Sequence, residues 1–285
     1  MKKYFGTDGV RGVANHDLTA ELALRLGRAA VRALGGESCC VVVGRDTRES
    51  GVMLESALVA GLMSEGADVM LAGVVPTPAV AYFTEEVGAT AGAVISASHN
   101  QYQDNGIKFF GPGGLKLPDS TERDIEGHFE NLGEREGGAE IGRLMALEDA
   151  EGRYINHLLS CVNTDLSGFR VVLDCANGSA YRVCPAAFRR LGAEVEALSC
   201  EPDGKNINKD CGSTHPENLR AAVRSWKASM GFALDGDADR CIGVDETGEI
   251  RDGDFMMAIA ARYLHERQLL HPPLVVSTVM STLGF

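Results

Sequence analysis

Three aspartates spaced two residues apart form the strongest chemical pattern in the sequence. They are Asp235, Asp237 and Asp239, called here the aspartate trio, within the run D-G-D-A-D-R at 235–240. In an extended segment, alternate side chains point to one side, which would bring the three carboxylates together. Such carboxylates repel one another unless a cation joins them, and their hard oxygen atoms favour Mg²⁺ or Ca²⁺ over zinc. The pattern therefore predicts a divalent-metal site.

Two other interpretations compete for the same run. A solvated acidic turn would have this spacing without any metal. A calcium EF-hand would use Glu246 at loop position 12, but Arg240 stands where that loop requires glycine, and strand-like residues follow where a helix should begin. An open Mg²⁺ site that accepts a phosphate oxygen fits the residues better.

A second polar stretch, called here the serine segment, reads I-S-A-S-H-N-Q-Y-Q-D-N-G-I-K-F-F over residues 95–110. Ser98 can carry a covalent group, and His99 and Lys108 can move protons. Spacing alone does not choose between Ser96 and Ser98, and a capped turn with satisfied side chains is an alternative. A serine–histidine hydrolase pair is disfavoured, because neighbours on an extended strand point to opposite sides and no G-x-S-x-G motif is present.

Arg11 lies in a glycine-rich segment, Y-F-G-T-D-G-V-R-G, at residues 4–12. Its guanidinium group could bind a phosphate through two parallel hydrogen bonds. It could equally be a surface arginine in a turn, and the spacing leaves both interpretations open.

Alternating strand and helix patterns must position these residues. Apolar runs that suit buried strands occupy residues 39–43, 69–75 and 91–95. Helical periodicity between these strands, with Thr19, Ser50 and Thr77 as capping residues, predicts the helices that connect them. This order is typical of a sheet covered by helices, whose sites lie at the carboxyl ends of the strands. The serine segment begins at such an end.

The second half of the chain repeats this plan. Predicted strands occupy residues 169–174, 195–198 and 231–234, a hairpin follows at 241–250, and predicted helices occupy 179–191 and 216–229. A further helix at 254–265 and a strand at 274–277 begin a third unit, which we expect to be truncated. The sequence thus predicts a tandem mixed α/β fold with helices covering each sheet. Its predicted domains are 1–150, 151–250 and an incomplete third domain at 251–285.

The amino-acid composition and net charge disfavour some classes of binding partner. The 285 residues are 45% hydrophobic and 24% charged, as in soluble globular proteins. A net charge of -13 disfavours binding to nucleic acid or to an anionic membrane. No apolar run reaches the roughly 20 residues of a membrane span, and no signal peptide is recognised, so a cytoplasmic protein is expected. The eight irregularly spaced cysteines are expected to be small buried hydrophobes. The sequence leaves the oligomeric state open.

Four motifs taken together resemble the α-D-phosphohexomutases, and the resemblance covers the whole chain. They are the segment 4–12, the turn G-R-D-T-R at 44–48, the serine segment and the aspartate run, in this order. The chain departs from the family pattern at Ala238, where glycine is usual, and at Gln101, where proline is frequent. Neither departure removes a functional group.

The resemblance implies a phosphoserine enzyme that depends on Mg²⁺. Ser98 would carry the phosphoryl group, and its oxygen would join Asp235, Asp237 and Asp239 as a metal ligand. The phosphoryl group would pass to a hexosamine phosphate, glucosamine 6-phosphate, to give a 1,6-bisphosphate intermediate. The other phosphoryl group of that intermediate would return to Ser98 and leave glucosamine 1-phosphate.

The resemblance also implies roles for the cationic residues. Arg11 and Lys108 would contact the phosphoserine, and Arg240 would bind substrate beside the metal. His99 and Lys108 would act as general acid and base.

Other outcomes stay open at this point. The family's glutamate-containing sugar-reading loop and its Ser/Thr/Arg loop for the distal phosphate are not found in this sequence, so we expect turnover to be impaired. Specificity for mannose or glucose phosphates is one alternative, and a non-catalytic metal- and phosphate-binding fragment is another.

Overall fold

The computed structural model describes residues 4–6, 9–35, 39–133, 140–277 and 281. Two β-sheets organise these residues, and helices pack on both faces of each sheet. Among the described residues, no helix combines the length and the apolar character that crossing a membrane requires.

The first sheet has six strands in the order β1-β5-β4-β2-β3-β6. Their bounds are Val10–Val13 (β1), Cys40–Arg45 (β2), Asp68–Val74 (β3), Ala91–Ile95 (β4), Asp104–Phe110 (β5) and Leu144–Ala146 (β6). Strands β4, β2, β3 and β6 are parallel, whereas β5 runs antiparallel to both β4 and β1. The chain therefore leaves β2, β3 and β4 at the same edge of the sheet.

Five helices accompany this sheet. They are Ala20–Leu34 (α1), Gly51–Ser64 (α2), Thr77–Glu86 (α3), Asp119–Glu130 (α4) and Ala150–Ser160 (α5). Val41 and Val43 of β2 face the core formed with α1, α2 and α4, while Val42 faces the core formed with α3 and α5. An apolar run such as β2 is buried on both faces because helices cover both sides of the parallel strands.

The second sheet has five strands in the order β11-β10-β9-β7-β8. Their bounds are Arg170–Asp174 (β7), Glu194–Leu198 (β8), Met230–Leu234 (β9), Cys241–Asp245 (β10) and Ile250–Arg251 (β11). Strands β8, β7 and β9 are parallel, and β10 and β11 extend the sheet antiparallel. The associated helices are Val183–Arg190 (α6), Glu217–Trp226 (α7) and Gly253–Glu266 (α8).

Helix α6 connects the two sheets through apolar contacts. Its Val183 and Ala187 belong to the same buried cluster as Phe83 of α3 and Tyr154 of α5. Its Cys184 and Phe188 pack instead against the second sheet. The carboxyl ends of β4 and β9 lead to Ser98 and Asp235, whose side chains share a hydrogen bond, so these two ends meet in one region, called here the cleft.

The predicted mixed α/β class with helices covering each sheet is confirmed. The predicted domain limits at residues 150 and 250 stay predictions. The polar segments 4–12 and 95–110, which by their composition are typical of loops, are strands in part, because β1 and β5 pair with each other. The polar residues of these strands hid them in the sequence, and backbone pairing of β5 with β4 and of β1 with β5 holds them extended. Within the first of these segments, Thr7 and Asp8 lie outside the described residues.

Three smaller predictions are also wrong. Neither Ser50 nor Thr77 makes the predicted side-chain capping hydrogen bond: the Ser50 hydroxyl accepts from Asn105 Nδ2 at 2.9 Å, and Thr77, the first residue of α3, donates to Asp237 Oδ2 at 2.7 Å. Helix α6 begins at Val183 and not at residue 179, because Ala176 and Asn177 adopt left-handed backbone angles and a turn follows. The strand predicted at 274–277 is not formed, and no described strand pairs with those residues.

Candidate active site

The aspartate trio follows β9 at the carboxyl edge of the second sheet. Residues 235–240 form a turn, so the extended geometry predicted for them is wrong. Ala238 has a φ of 58°, and its N–H donates to the Asp235 carbonyl oxygen at 3.0 Å. The turn nevertheless brings one carboxylate oxygen from each aspartate within 4.8 Å of the others.

The surroundings of the aspartate trio fit a cation. Asp235 and Asp237 are 1% and 2% exposed. Asp237 Oδ2 accepts from Thr77 Oγ1 at 2.7 Å, whereas its buried Oδ1 has no hydrogen-bond partner among the described residues. A buried carboxylate oxygen without a partner is costly, and a bound ion would remove that cost. The trio is thus a candidate metal site with the hard oxygen donors that a divalent cation prefers.

Charge repulsion within the trio points in the same direction. Burial, and then the neighbouring Asp235 carboxylate, raise the pKa of Asp237. Burial and the Asp237 carboxylate also raise the pKa of Asp239, although Lys108 and Arg240 oppose this. The charged forms of these two groups are therefore disfavoured until a further positive charge joins them.

Ser98 lies directly beside the trio. It is 1% exposed, has a φ of 51°, and its Oγ donates to Asp235 Oδ2 at 2.6 Å. Ser96 is engaged elsewhere, because its Oγ donates to Asp46 Oδ2 at 2.6 Å and accepts the Ser98 N–H at 3.0 Å. The geometry thus distinguishes two hydroxyls that the spacing could not: Ser98 faces the carboxylates, and Ser96 supports the backbone that presents it.

Arg48 holds the serine segment by its carbonyl groups. Its Nη2 donates to the carbonyl oxygens of Ser98 at 3.0 Å and Asn100 at 2.8 Å, and its Nη1 donates to that of Gln101. Its Nε pairs with Asp46 Oδ2 at 2.9 Å, and both side chains have no solvent exposure. The turn at 44–48 was noted in the sequence, but nothing there assigned this role to Arg48.

Asn208, in the segment between β8 and α7, binds two of the same carbonyl groups. Its Nδ2 donates to the carbonyl oxygens of Ser98 at 2.8 Å and Asn100 at 2.9 Å. Gly236, inside the aspartate run, lies so close that an added Cβ would be 2.7 Å from the Ser98 carbonyl oxygen. No spacing signal marked Asn208, because it acts on backbone atoms about a hundred residues away in sequence.

Lys108, Arg240 and His99 surround the exposed side of this site. Lys108 Nζ lies 3.5 Å from Asp239 Oδ2, and Arg240 Nε lies 3.8 Å from Asp239 Oδ1. Arg240 Nη1 donates to His99 Nδ1 at 2.8 Å, so the ring proton of neutral His99 is on Nε2. The Ser98 hydroxyl lies 3.5 Å from His99 Nδ1.

Arg11 is placed by the pairing of β1 with β5. It stands opposite Gly106, two residues before Lys108 on β5, so strand geometry puts Arg11 and Lys108 on one face of the sheet. Gly106 leaves room for it, since an added Cβ would lie 3.0 Å from Arg11 Cγ and 2.6 Å from the Ser96 carbonyl oxygen. All eight predicted site residues therefore lie along the cleft or on the strands that border it, while their roles stay predictions.

This arrangement suits a doubly charged ester on Ser98. A phosphoryl group there would adjoin three carboxylates, and its stability would require compensating cations. Lys108 and Arg240 supply two of them, and a metal ion in the trio would supply another.

Comparisons with known proteins agree with this geometry. Residues 2–136 match alpha/beta/alpha domain I of the phosphoglucomutase/phosphomannomutase family, and residues 152–248 match domain II of the same family. A phosphoglucosamine mutase from Moorella thermoacetica is 56% identical over 290 residues, and one from Desulforamulus reducens is 53% identical over 289. Both alignments cover 100% of this chain and 65% of the relative, so the chain spans about two-thirds of their length.

A solved structure has the same fold. It is a phosphoglucomutase/phosphomannomutase family protein from Burkholderia thailandensis, which superimposes with a TM-score of 0.81 at 30% sequence identity. The superposition covers 93% of this chain and 59% of that one.

Proposed function

The chain belongs to the phosphoglucomutase/phosphomannomutase family, and on this premise we propose that it interconverts glucosamine 6-phosphate and glucosamine 1-phosphate through a phosphoserine at Ser98. The observation that carries the proposal is the 2.6 Å hydrogen bond between Ser98 Oγ and Asp235, which joins the serine segment to the aspartate trio. The choice of glucosamine rests on relatives named phosphoglucosamine mutase at 56% and 53% identity.

We propose that the resident metal is Mg²⁺. Asp235, Asp237 and Asp239 would hold it together with an oxygen atom on Ser98, and the unpartnered Oδ1 of Asp237 supports this assignment. When bound, the ion would supply positive charge to the oxygen atoms of the transferring phosphoryl group.

Side chains of the protein would bind the phosphate groups and transfer the proton. Arg11 and Lys108 would bind phosphoryl oxygens, and Arg240 would contact the substrate phosphate beside Asp239. His99 Nε2 and Lys108 Nζ are the proposed donors and acceptors of the sugar hydroxyl proton. The Arg240 hydrogen bond to Nδ1 supports the donor role of His99, because it keeps the ring proton on Nε2.

In this proposal the bisphosphate intermediate must turn over between two transfers, so the partners are a hexosamine phosphate and a hexosamine 1,6-bisphosphate. A cytoplasmic setting, the three-part domain division and the expected impairment of turnover stay predictions. Mannose or glucose phosphates remain alternative substrates, since the family description names both activities.

Phosphoryl transfer to Ser98 tests the proposal directly. The chain is incubated with glucose 1,6-bisphosphate and Mg²⁺, and its intact mass is measured before and after. We expect a gain of about 80 Da that maps to Ser98 and is lost in Ser98→Ala. Equal phosphorylation of the Ser98→Ala variant would refute the role of Ser98. A coupled assay with glucosamine, mannose and glucose phosphates then compares the three sugars.

A further inference from the structure

Three cysteines, called here the cysteine trio, meet at the carboxyl edge of the second sheet. Cys175 follows β7, Cys200 follows β8, and Cys184 lies in α6. Cys175 is buried, and the other two are partly exposed. All three belong to one apolar cluster, in which Cys175 is buried as the sequence predicted and Cys184 and Cys200 are only partly buried.

Cys175 and Cys200 are held side by side by one acceptor. The Cys175 N–H donates to the Leu198 carbonyl oxygen at 3.1 Å, and Cys200 Sγ lies 3.3 Å from the same oxygen. Strands β7 and β8 are parallel neighbours with Asp174 opposite Leu198. Continued by one residue, this register sets Cys175 opposite Ser199, so Cys200 lies one residue beyond the partner of Cys175, and the shared Leu198 carbonyl oxygen is the contact that brings the two cysteines together.

The two thiols differ in reactivity. A hydrogen bond from Cys175 lowers the pKa of Cys200, and Arg189 adds to the lowering, whereas burial and the Asp174 and Glu201 carboxylates oppose it. Hydrogen bonds with Cys184 and Cys200, followed by burial, raise the pKa of Cys175. Cys200 is therefore the more accessible and more readily ionised thiol, which is the usual character of an oxidation-sensitive cysteine.

We propose that Cys175 and Cys200 form a reversible disulfide when the protein meets hydrogen peroxide. The Cys200 thiolate attacks a peroxide oxygen, the O–O bond breaks, and the leaving hydroxide takes up the proton that the thiol had released. Cys175 sulfur then attacks the Cys200 sulfenic acid. The S–S bond forms, the S–O bond breaks, and the hydroxide leaves as water with the Cys175 proton. Two thiols are oxidised and one peroxide is reduced to two waters.

The segment after Cys175 connects this pair to the aspartate run. The Gly178 N–H donates to the Cys175 carbonyl oxygen at 2.8 Å, and the Ser179 N–H donates to the Gly236 carbonyl oxygen at 2.8 Å. Gly178 and Gly236 touch, since a Cβ added at Gly178 would lie 2.3 Å from the Gly236 carbonyl oxygen. A movement of Cys175 on disulfide closure would therefore reach the backbone between Asp235 and Asp237 through these contacts.

Peptide mapping of the oxidised chain tests the disulfide. The protein is treated with hydrogen peroxide, alkylated and digested without reductant. We expect a loss of about 2 Da, a cross-linked peptide pair joining Cys175 to Cys200, and reversal by dithiothreitol. Cys200→Ser should lose the cross-link, and the matched control Cys161→Ser, at an exposed site after α5, should keep it. A Cys175–Cys184 link, or no cross-link in the unsubstituted protein, would overturn the proposal.

The effect on the aspartate trio is measured separately with Mn²⁺, and this readout rests on the proposed function. We expect Mn²⁺ affinity to fall about fivefold or more on oxidation and to recover with dithiothreitol. An unchanged affinity in cross-linked protein would overturn the connection to the aspartate run. If the reduced protein bound no Mn²⁺, the metal site of the proposed function would fail while the mapped cross-link stood.

Discussion

Replacing Arg48 by methionine should destabilise the protein strongly, because it isolates a buried charge. Arg48 and Asp46 pair at 2.9 Å with no solvent exposure of either side chain. Removing one partner of a buried ion pair typically costs about 3–5 kcal/mol. The carbonyl oxygen of Gln101 also loses its Arg48 donor, which adds about 1–3 kcal/mol, whereas those of Ser98 and Asn100 keep the Asn208 amide.

We therefore expect Arg48→Met to lower the free energy of unfolding by at least about 4 kcal/mol, a large share of the roughly 5–15 kcal/mol of a typical domain. Urea titration followed by circular dichroism measures this. The control is a double-mutant cycle with Asp46→Asn, because removing both charges should cost less than the sum of the two single changes.

Arg48→Lys extends this test if the methionine variant does not fold. Lysine keeps the charge opposite Asp46 but cannot reach three carbonyl groups with a planar fork. Phosphorylation of Ser98 should slow in this variant while the secondary structure is retained. A loss of less than about 1 kcal/mol in Arg48→Met, or strict additivity in the cycle, would refute the reasoning.

Three further changes test other parts of the structure. Gly236→Ala should lower the free energy of unfolding in urea by about 1–3 kcal/mol, because its Cβ would lie 2.7 Å from the Ser98 carbonyl oxygen. Gly253→Ala is the control, since an added Cβ there meets no atom within 4 Å. Equal losses in the two variants would contradict this reasoning. Hydrogen bonds from Thr247, then from the Glu249 N–H, lower the pKa of Asp245 below its ordinary 3.8. This lowering stabilises the folded protein above pH 3.8, and the stabilisation is lost as the pH falls below that value. Between about pH 5 and pH 3, the free energy of unfolding should therefore fall less in Asp245→Asn than in the unsubstituted protein. An equal fall in both proteins would contradict the assignment. Mg²⁺ at about 100 times its Kd should raise the free energy of unfolding by about 2.7 kcal/mol, as measured by calorimetry. Chelation of the ion or the substitution Asp237→Asn should abolish this stabilisation. Stabilisation that persists in Asp237→Asn would place the ion elsewhere.

Much of the fold follows from the sequence because parallel strands are buried on both faces. The apolar runs of β2, β3 and β4 and the helices between them stand close to their predicted positions. Strands β1 and β5 were missed, because backbone pairing rather than an apolar pattern determines them. The spacing of Asp235, Asp237 and Asp239 predicted that their carboxylates lie close together, and they do, although the backbone there is a turn; the bound metal stays a prediction.

The contact between the serine segment and the aspartate trio could not be inferred from the spacing of residues in the sequence. Ser98 and Asp235 are 137 residues apart, and only the folded chain brings them to 2.6 Å. Arg48 and Asn208 were not recognised because they act through carbonyl groups, which every residue type carries. Physical reasoning from sequence therefore finds reactive side chains more easily than the side chains that position them.

The most direct test concerns the distance between the phosphoserine and the metal ion. Protein phosphorylated on Ser98 is titrated with paramagnetic Mn²⁺ while the ³¹P resonance of the phosphoserine is recorded. We expect this resonance to broaden as Mn²⁺ binds, and Asp237→Asn to prevent the broadening at the same Mn²⁺ concentration. A phosphoserine resonance that stays sharp while Mn²⁺ is bound would contradict it.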